Sequence, residues 1–425
     1  MTDIVTSPLA LTPAFSTTIT DYYVPCASGD NSLDVTVTDA NGTSTTTMIV
    51  QPDDELDLGD YHVRCLPPDF PAITVTLHPE NGAPTPGYYL VNSSPYVMVL
   101  DGNGVPIWYE ATTWGCNVSS PAPNVIAYMP RAEYPYAWDE QSFYEIHDLS
   151  TGDVRTLITA DAPTDEHELV KLDTGNYLVF TDPIDSIDGV TIANCKIEEV
   201  DPSGATVWSW LASDHVDPVQ EPVYVSTNLI DDQVVTDVFH CNSIEVGSAN
   251  DLLISMRHTS ALYDIDRTTG AVNWKLGGNA ISSGPHLDVV GDADGGFNMQ
   301  HDARFTAAGT ITLFDDHGNS DGVARGLELA VDHDASTASI VWQARADQQS
   351  AYMGGMRRYT DGESVIAWGY LDGDTRIFTE YNADALPVLD ISSYLETTFN
   401  ALTYRAVKVP LDQFDIALLR SRTAQ

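Results

Sequence analysis

Lysine is nearly missing from this chain: four of 425 residues, Lys171, Lys196, Lys275 and Lys408. With 18 basic residues against 62 acidic ones the formal charge is −44. A surface of that sign repels nucleic acid and anionic lipid, so neither is expected as a partner. No apolar run approaches 18 residues, which excludes a hydrophobic membrane-spanning helix. The opening stretch MTDIVTSPLALTPAF lacks the basic segment and apolar run of a secretory leader. The acidity still suits a secreted or otherwise extracytoplasmic protein, with a cytoplasmic location left open. Helical periodicity is scarce and confined to short pieces near 391–403 and 411–420. Cysteine is sparse and odd in number, and no CxxC pair occurs. No metal and no cofactor are expected. Cys26 and Cys65 share the N-terminal region and could staple it, whereas Cys241 is expected to stay free.

What the chain has in quantity is β structure. Short alternating β-branched and aromatic stretches are cut by Asp-Gly, Asn-Gly, Ser-Gly and Thr-Gly turns. Within 14–80 the runs TTITDYYVPC, SLDVTVTDANGTSTTTMIV, DYHVRCLPPDF and AITVTL fit a small β-sandwich. The Pro/Gly segment HPENGAPTPGYY then reads as a linker. Beyond it a hairpin recurs: an apolar strand, Asp, a turn that usually holds Gly, and a strand often ending in Trp. Copies surround Asp101, Asp148, Asp201 and Asp266, with looser ones at Asp332 and Tyr381, spaced 47, 53, 65, 66 and 49 residues apart. Six hairpins at that period predict six four-stranded blades. The expectation is an all-β chain, with an N-terminal β-sandwich over 1–82 and a six-bladed β-propeller over 83–425.

A second element alternates with the first: HELVKLDTGNYLVF, HCNSIEVGSANDLLISMR, HDARFTAAGTITLFDD and GGMRRYTDGESVIAWG. Three of these four begin with histidine, namely His167, His240 and His301. Equivalent positions in successive blades lie on one ring, so the three are expected at one mouth of the central channel. Residues i and i+2 share a strand face. That places Asn242 beside His240, with Cys241 in the blade packing. Arg257 is expected to face the channel and His258 to serve structure. By the same alternation Asp302 and Arg304 form a buried pair that orients strands. The turn FDDHGNSDG carries Asp315, Asp316 and His317, as a cation site, a self-bonded loop or a rim contact to substrate. Three imidazoles, a guanidinium and an amide suit a sulfuryl or phosphoryl group, a lactone, or a carboxylate-bearing sugar.

HELVKLDTGNYLV, DVFHCNSIEV, LLISMRHTSALYDIDRTTGAVNWKLGG, MQHDARF and ITLFDDHGN together closely resemble the aryl-sulfate sulfotransferase family, in the expected order through most of 85–370. The resemblance implies a six-bladed propeller. It also implies sulfuryl transfer from a phenolic sulfate ester to another phenol, without a nucleotide donor. Through its motifs it implies that His301 is the residue transiently sulfated, that His240, Asn242 and Arg257 hold the sulfate oxygens, and that His167 is an acid/base or binding partner. The missing leader, the extreme acidity and the cysteine pattern depart from the better-known periplasmic members.

Small phenolic or aryl molecules are therefore the expected partners, and homo-oligomerisation is left open. Tyr136 and Trp138, crowded with Tyr128 and Tyr134 in YMPRAEYPYAWDEQSFY, are candidates for substrate contact, with blade-edge packing as the alternative. Two other classes compete. One is a lactonase, esterase or lyase at the same cage, in a metal-dependent form using Asp302, Asp315 or Asp316 with histidines. The other is a non-catalytic propeller that binds partners.

Overall fold

The computed structural model describes residues 1–130, 142–160, 163–230, 232–279, 284–318, 322–394 and 402–421. Strands dominate, and one short helix, Ile416–Ser421, lies near the C-terminus. Beyond residue 87 most of the described strands group into six antiparallel runs of four, two of which His286–Val290 joins through parallel pairs into one nine-stranded sheet. Their first strands are Cys116–Ala122, Thr164–Lys171, Cys241–Val246, His301–Phe305, Gly355–Arg358 and Ala406–Val409. Each touches the next, and Ala406–Val409 touches both Gly355–Arg358 and Cys116–Ala122, so the cycle closes. The unit led by Ala406–Val409 takes its other strands, Tyr88–Ser93, Tyr96–Leu100 and Pro106–Ala111, from the start of the ring. The two ends of this region are thereby stitched into one sheet.

The recurrent hairpins of the sequence all fall between the third and fourth strands of a unit. The recurrent Asp explains itself there. Its carboxylate accepts backbone N–H groups two to four residues on: Asn103 and Val105 for Asp101, Ser203 and Ala205 for Asp201, Thr268 and Thr269 for Asp266. In the unit led by Gly355–Arg358 the role passes from the expected Tyr381 to its neighbour Asn382, whose Oδ1 accepts from Asp384 and Leu386. The first four turns put Gly104, Gly152, Gly204 and Gly270 in the left-handed region; the looser copies put Ser336 and Ala385 there. A side chain is strained at that φ, so the weak copies are weak at a physically costly position.

The centre of the ring is charged. Every first strand, or the residue beside it, sends a polar group inward. Arg405 donates to Asn117 Oδ1 at 3.0 Å, to Glu168 Oε1 at 3.2 Å and to the Asn242 carbonyl, and its Nε lies 3.0 Å from Asp302 Oδ1. Arg304 bonds Asp302, Glu168 and the Ile244 carbonyl, and Arg357 reaches Asp302 at 2.9 Å. Burial alone would neutralise Glu168 and Asp302, yet the three guanidiniums hold both carboxyls below their usual range. The expected Asp302–Arg304 pair is thus one edge of a larger network.

Two three-stranded sheets precede the ring. Asp3–Ser7, Asn31–Asp39 and Gly42–Val50 form one, and Asp21–Pro25, His62–Leu66 and Glu55–Asp57 the other. They share a core of Ile4, Tyr22, Val24, Leu33, Val35 and Val63, and a disulfide joins Cys26 to Cys65. Ala72–Leu77 leaves this region and pairs with Pro387–Tyr394, adding a fifth strand to the unit led by Gly355–Arg358.

One more sheet stands outside the six units. Ile184–Ile187 and Val190–Ala193 form a hairpin, as do Ser226–Ile230 and Gln233–Asp237, and Val190–Ala193 runs parallel to Gln233–Asp237. Beside it Cys241, expected to be free, is bonded to Cys195. Their Cα atoms approach to 6.1 Å because a first strand and the approach to a neighbouring third strand start side by side. Cys116 is buried and belongs to neither disulfide.

Two outcomes follow from this architecture. Ala385→Gly should raise stability by about 1 kcal/mol, read by denaturant unfolding, because glycine removes the left-handed strain. Alkylation of the unfolded, unreduced chain should label Cys116 alone, with the other four thiols reacting only after reduction.

Candidate active site

At one end of the ring the three in-phase histidines converge. Each lies where its strand departs from regularity. The pairing register slips between Thr164 and Leu169 around His167, between Cys241 and Ser243 just after His240, and between His301 and Arg304. His240 itself precedes its strand with φ +52°, and Asp302 has φ +60°. Such bulges re-aim side chains toward a site. The His167 ring stands 5.0 Å from that of His240 and 6.0 Å from that of His301, with Tyr404 5.2 Å from His301.

These rings line a cavity of about 620 Å³. Arg257, His258 and Tyr404 join them, and Trp114, Tyr352 and Met353 provide apolar wall. The extra sheet and its flanks add Asp182, Asn194, Tyr224, Ser226, Asn228 and Asp237, and Asp165 and Glu166 lie beside His167 in the lining.

The three histidines differ in what holds Nδ1. His301 donates Nδ1–H to the Gly354 carbonyl at 2.7 Å, which leaves Nε2 with its lone pair. Burial first, then the positive field of Arg405 and the neighbouring His167, push its pKa well below the ordinary value. It stays neutral. At His167 burial works the same way, but the Asp165 carboxylate, both oxygens 2.9 Å from Nδ1, wins and raises the pKa. His240 Nδ1 meets Asp237 Oδ2 at 2.6 Å. One imidazole is therefore held neutral against a carbonyl, and two face carboxylates. That is a set in which nucleophile and proton donor coexist.

Arg257 donates to the Ala351 carbonyl at 3.2 Å, and its Nε lies 3.5 Å from Asp316. Asp316 is fully buried, and burial pushes its pKa well above the usual carboxylate range, with Arg257 opposing. The guanidinium thus keeps most of its charge for the cavity.

Not every candidate stands where alternation put it. Asn242 does not line the cavity: its amide donates to the Gln300 carbonyl at 2.9 Å and accepts from Asp302 N–H at 3.3 Å. The i, i+2 rule fails because His240 lies outside the strand. His317 is buried behind the wall, Nε2 3.0 Å from Asp315, and is absent from the lining. His258 and Arg257 both reach the cavity, since their strand ends at Met256 and the turn that follows does not alternate faces. Tyr136 and Trp138 lie outside the described residues.

Sequence reasoning passed over Asp165, Asp237 and Tyr404. The first two were readable as D-x-H and D-x-x-H spacings ahead of the cavity histidines. Tyr404 left no signal, being 103 positions after His301 in sequence. Among the described residues two sets of side chains are close enough to hold a metal ion, Asp237–His240–His258 and Asp165–Glu166–His167. Within them His240 Nδ1 is bonded to the Asp237 carboxylate and His167 Nδ1 to that of Asp165. The earlier candidates for metal-binding carboxylates are engaged elsewhere, Asp302 with arginines, Asp315 with Arg325 and His317, and Asp316 beside Arg257.

Among solved structures the chain is similar to a protein of unknown function from Bacteroides caccae (13% identity, 76% of this chain and 99% of that one, TM-score 0.48). It is also similar to a catalytically inactive virginiamycin B lyase from Staphylococcus aureus with quinupristin (8%, 78% and 91%, TM-score 0.37). A third is apo AztD from Citrobacter koseri (10%, 76% and 99%, TM-score 0.39). All three likenesses are distant. No curated protein matches the chain. The family model described as Arylsulfotransferase (ASST) matches residues 77–405. That span takes in the cavity histidines, Arg257 and Tyr404, and the chain belongs to the arylsulfotransferase family.

Proposed function

We propose that the protein is a sulfotransferase that moves a sulfuryl group from a phenolic sulfate ester to an acceptor phenol through a sulfo-histidine on His301. One observation carries the reading: a buried, neutral imidazole with Nδ1 fixed on a carbonyl, set beside an imidazole whose pKa a carboxylate raises against the effect of burial. His301 Nε2 attacks sulfur as the S–O bond to the departing phenolate breaks, and His167 delivers its proton to that oxygen. The acceptor then gives its phenolic proton to the neutral His167, its oxygen attacks sulfur, and the N–S bond breaks. Arg257 faces the sulfuryl oxygens. Because transfer runs in line through a loose transition state, placement and charge do most of the work, as in phosphoryl transfer.

The same reading takes the closed ring as a six-bladed β-propeller over roughly 83–425 and the two N-terminal sheets as a β-sandwich. Trp114, Tyr352 and Met353 are the aryl-binding wall. Four of five cysteines in disulfides support an oxidising, extracytoplasmic location. Small phenolic molecules are the partners.

Exposure to p-nitrophenyl sulfate without acceptor should release a burst of nitrophenol and leave one SO3 unit on the His301 peptide. His301→Ala should abolish the adduct and lower turnover at least about 10³-fold. An unmodified wild-type protein, or an alanine variant that turns over normally, would sink the mechanism. The two half-reactions should respond to pH with opposite sign. Donor cleavage needs protonated His167, so the burst rate falls as pH rises through a value above about 6.5. Acceptor attack needs neutral His167 and speeds up over the same interval. His301, neutral throughout, should add no acidic limb near pH 6.5.

A further inference from the structure

We infer that Asp237, carried by the extra four-stranded sheet, is a positioning residue that locks His240 in the Nδ1–H tautomer and aims its Nε2 at the sulfuryl site. The inference rests on the sulfuryl-transfer reading for its consequence and on geometry alone for its substance. His240 occupies a short stretch tied down on both sides. Ahead of it, Asp237 pairs with Ala193 at the end of the parallel strands of the extra sheet. Immediately after it, Cys241 is bonded to Cys195, two residues beyond Ala193. The same two chain segments are thus joined twice, and His240 sits between the joints with φ +52°.

Within that clamp Asp237 uses three of its oxygens. Oδ2 receives His240 Nδ1 at 2.6 Å, the backbone carbonyl receives His258 Nδ1 at 3.0 Å, and Oδ1 lies 3.6 Å from His258. The His258 ring stacks on His240 at 4.7 Å and 28°, fixing the plane of the imidazole that Asp237 orients. Tyr224, from the extra sheet's own flank, meets the His258 ring in a T-shaped contact at 5.0 Å and 75°. Burial, only partly offset by Asp237, brings the His258 pKa down to about 3, so it braces as a neutral ring. A hydrogen bond from one ring nitrogen decides the protonation of the other. With Nδ1 donating to a carboxylate, Nε2 of His240 is the nitrogen that meets substrate oxygen.

The wild-type protein offers the first test: imidazole nitrogen NMR should report the Nδ1–H tautomer for neutral His240, and Nε2–H would overturn the assignment. Asp237→Asn supplies an amide that can donate to Nδ1 and turn the ring to the other tautomer. It should lower kcat on the order of 10²-fold or more, with donor KM changed less than about threefold. Asp237→Glu, which keeps the carboxylate, should recover most of that loss. In a His240→Ala background Asp237→Asn should cost nothing further, because the residue acts only through His240. A full additional loss there, or an unchanged kcat in the single variant, would refute the role. So would one tightly held metal ion per chain that is lost in Asp237→Asn, since Asp237 would then be a ligand. A wild-type protein without sulfuryl turnover defeats the reaction assigned above, while the NMR result still decides the placement of His240.

Discussion

The structure depends on a buried balance of charge at the centre of the ring. Arg304, Arg357 and Arg405 face Glu168, Asp302 and Glu245, and the six first strands meet through them. An apolar core would hold the units together as well or better, because ion pairs lose much of their attraction to desolvation. What the charges add is direction. Arg405 reads one residue on each of four other strands, and each contact has one acceptable geometry. Removing any member would strand its partners in a medium that cannot solvate them. The same network forms the floor beneath the histidines. Arg405 supplies part of the positive field that keeps His301 neutral, so the element that sets the register of the strands also sets the protonation of the site.

Function is placed at the seams of this order. A regular first strand would send alternate residues into the blade packing and keep its backbone paired. The slips at His167, Cys241 and His301 break that pattern once in each of three neighbouring strands and always at the same end. Bending a strand forfeits ladder hydrogen bonds, and the structure recovers them with side chains. Asp165 takes the His167 N–H, Asn242 takes the Asp302 N–H, and Ser243 takes the Ala303 N–H. Asn242 belongs to this repair. Its expected place beside the sulfuryl group assumed an alternation that its strand does not keep.

How much could be read beforehand follows from the range of each interaction. The hairpin turns are local, made of one carboxylate and amides a few residues on, and so the repeat and its phase were visible. The histidines were visible because they ride on that phase. The contacts of Arg357 and Arg405, those of Tyr404 and the Cys195–Cys241 bond join residues 46 or more positions apart, and no local pattern encodes them. The extra sheet went unread for a related reason. Its strands are short interruptions between and within units, and the pair that joins its two hairpins is parallel, which no turn announces. Asp165 and Asp237 stood in plain view, but their meaning depends on bends that place a carboxylate behind an imidazole.

The chain as a whole is strongly anionic, while the substrate proposed for its site is an anion. These are compatible because the two fields act over different distances. At physiological ionic strength charges more than about 8 Å away in solvent are largely screened, so the acidic exterior governs solubility and hardly reaches the cavity. Inside, four carboxyl groups line the cavity: Asp165 is bonded to His167, Asp237 to His240, and Asp182, beside them and Glu166, has its pKa pushed well above the usual range by burial and by those neighbouring carboxylates. A carboxylate bonded to an imidazole does not oppose an oxyanion on the other side of the ring. It stabilises the positive charge that the oxyanion meets. The extreme acidity of the protein and its anion-facing site are therefore separate solutions, one written on the surface and one in the hydrogen bonds of three histidines.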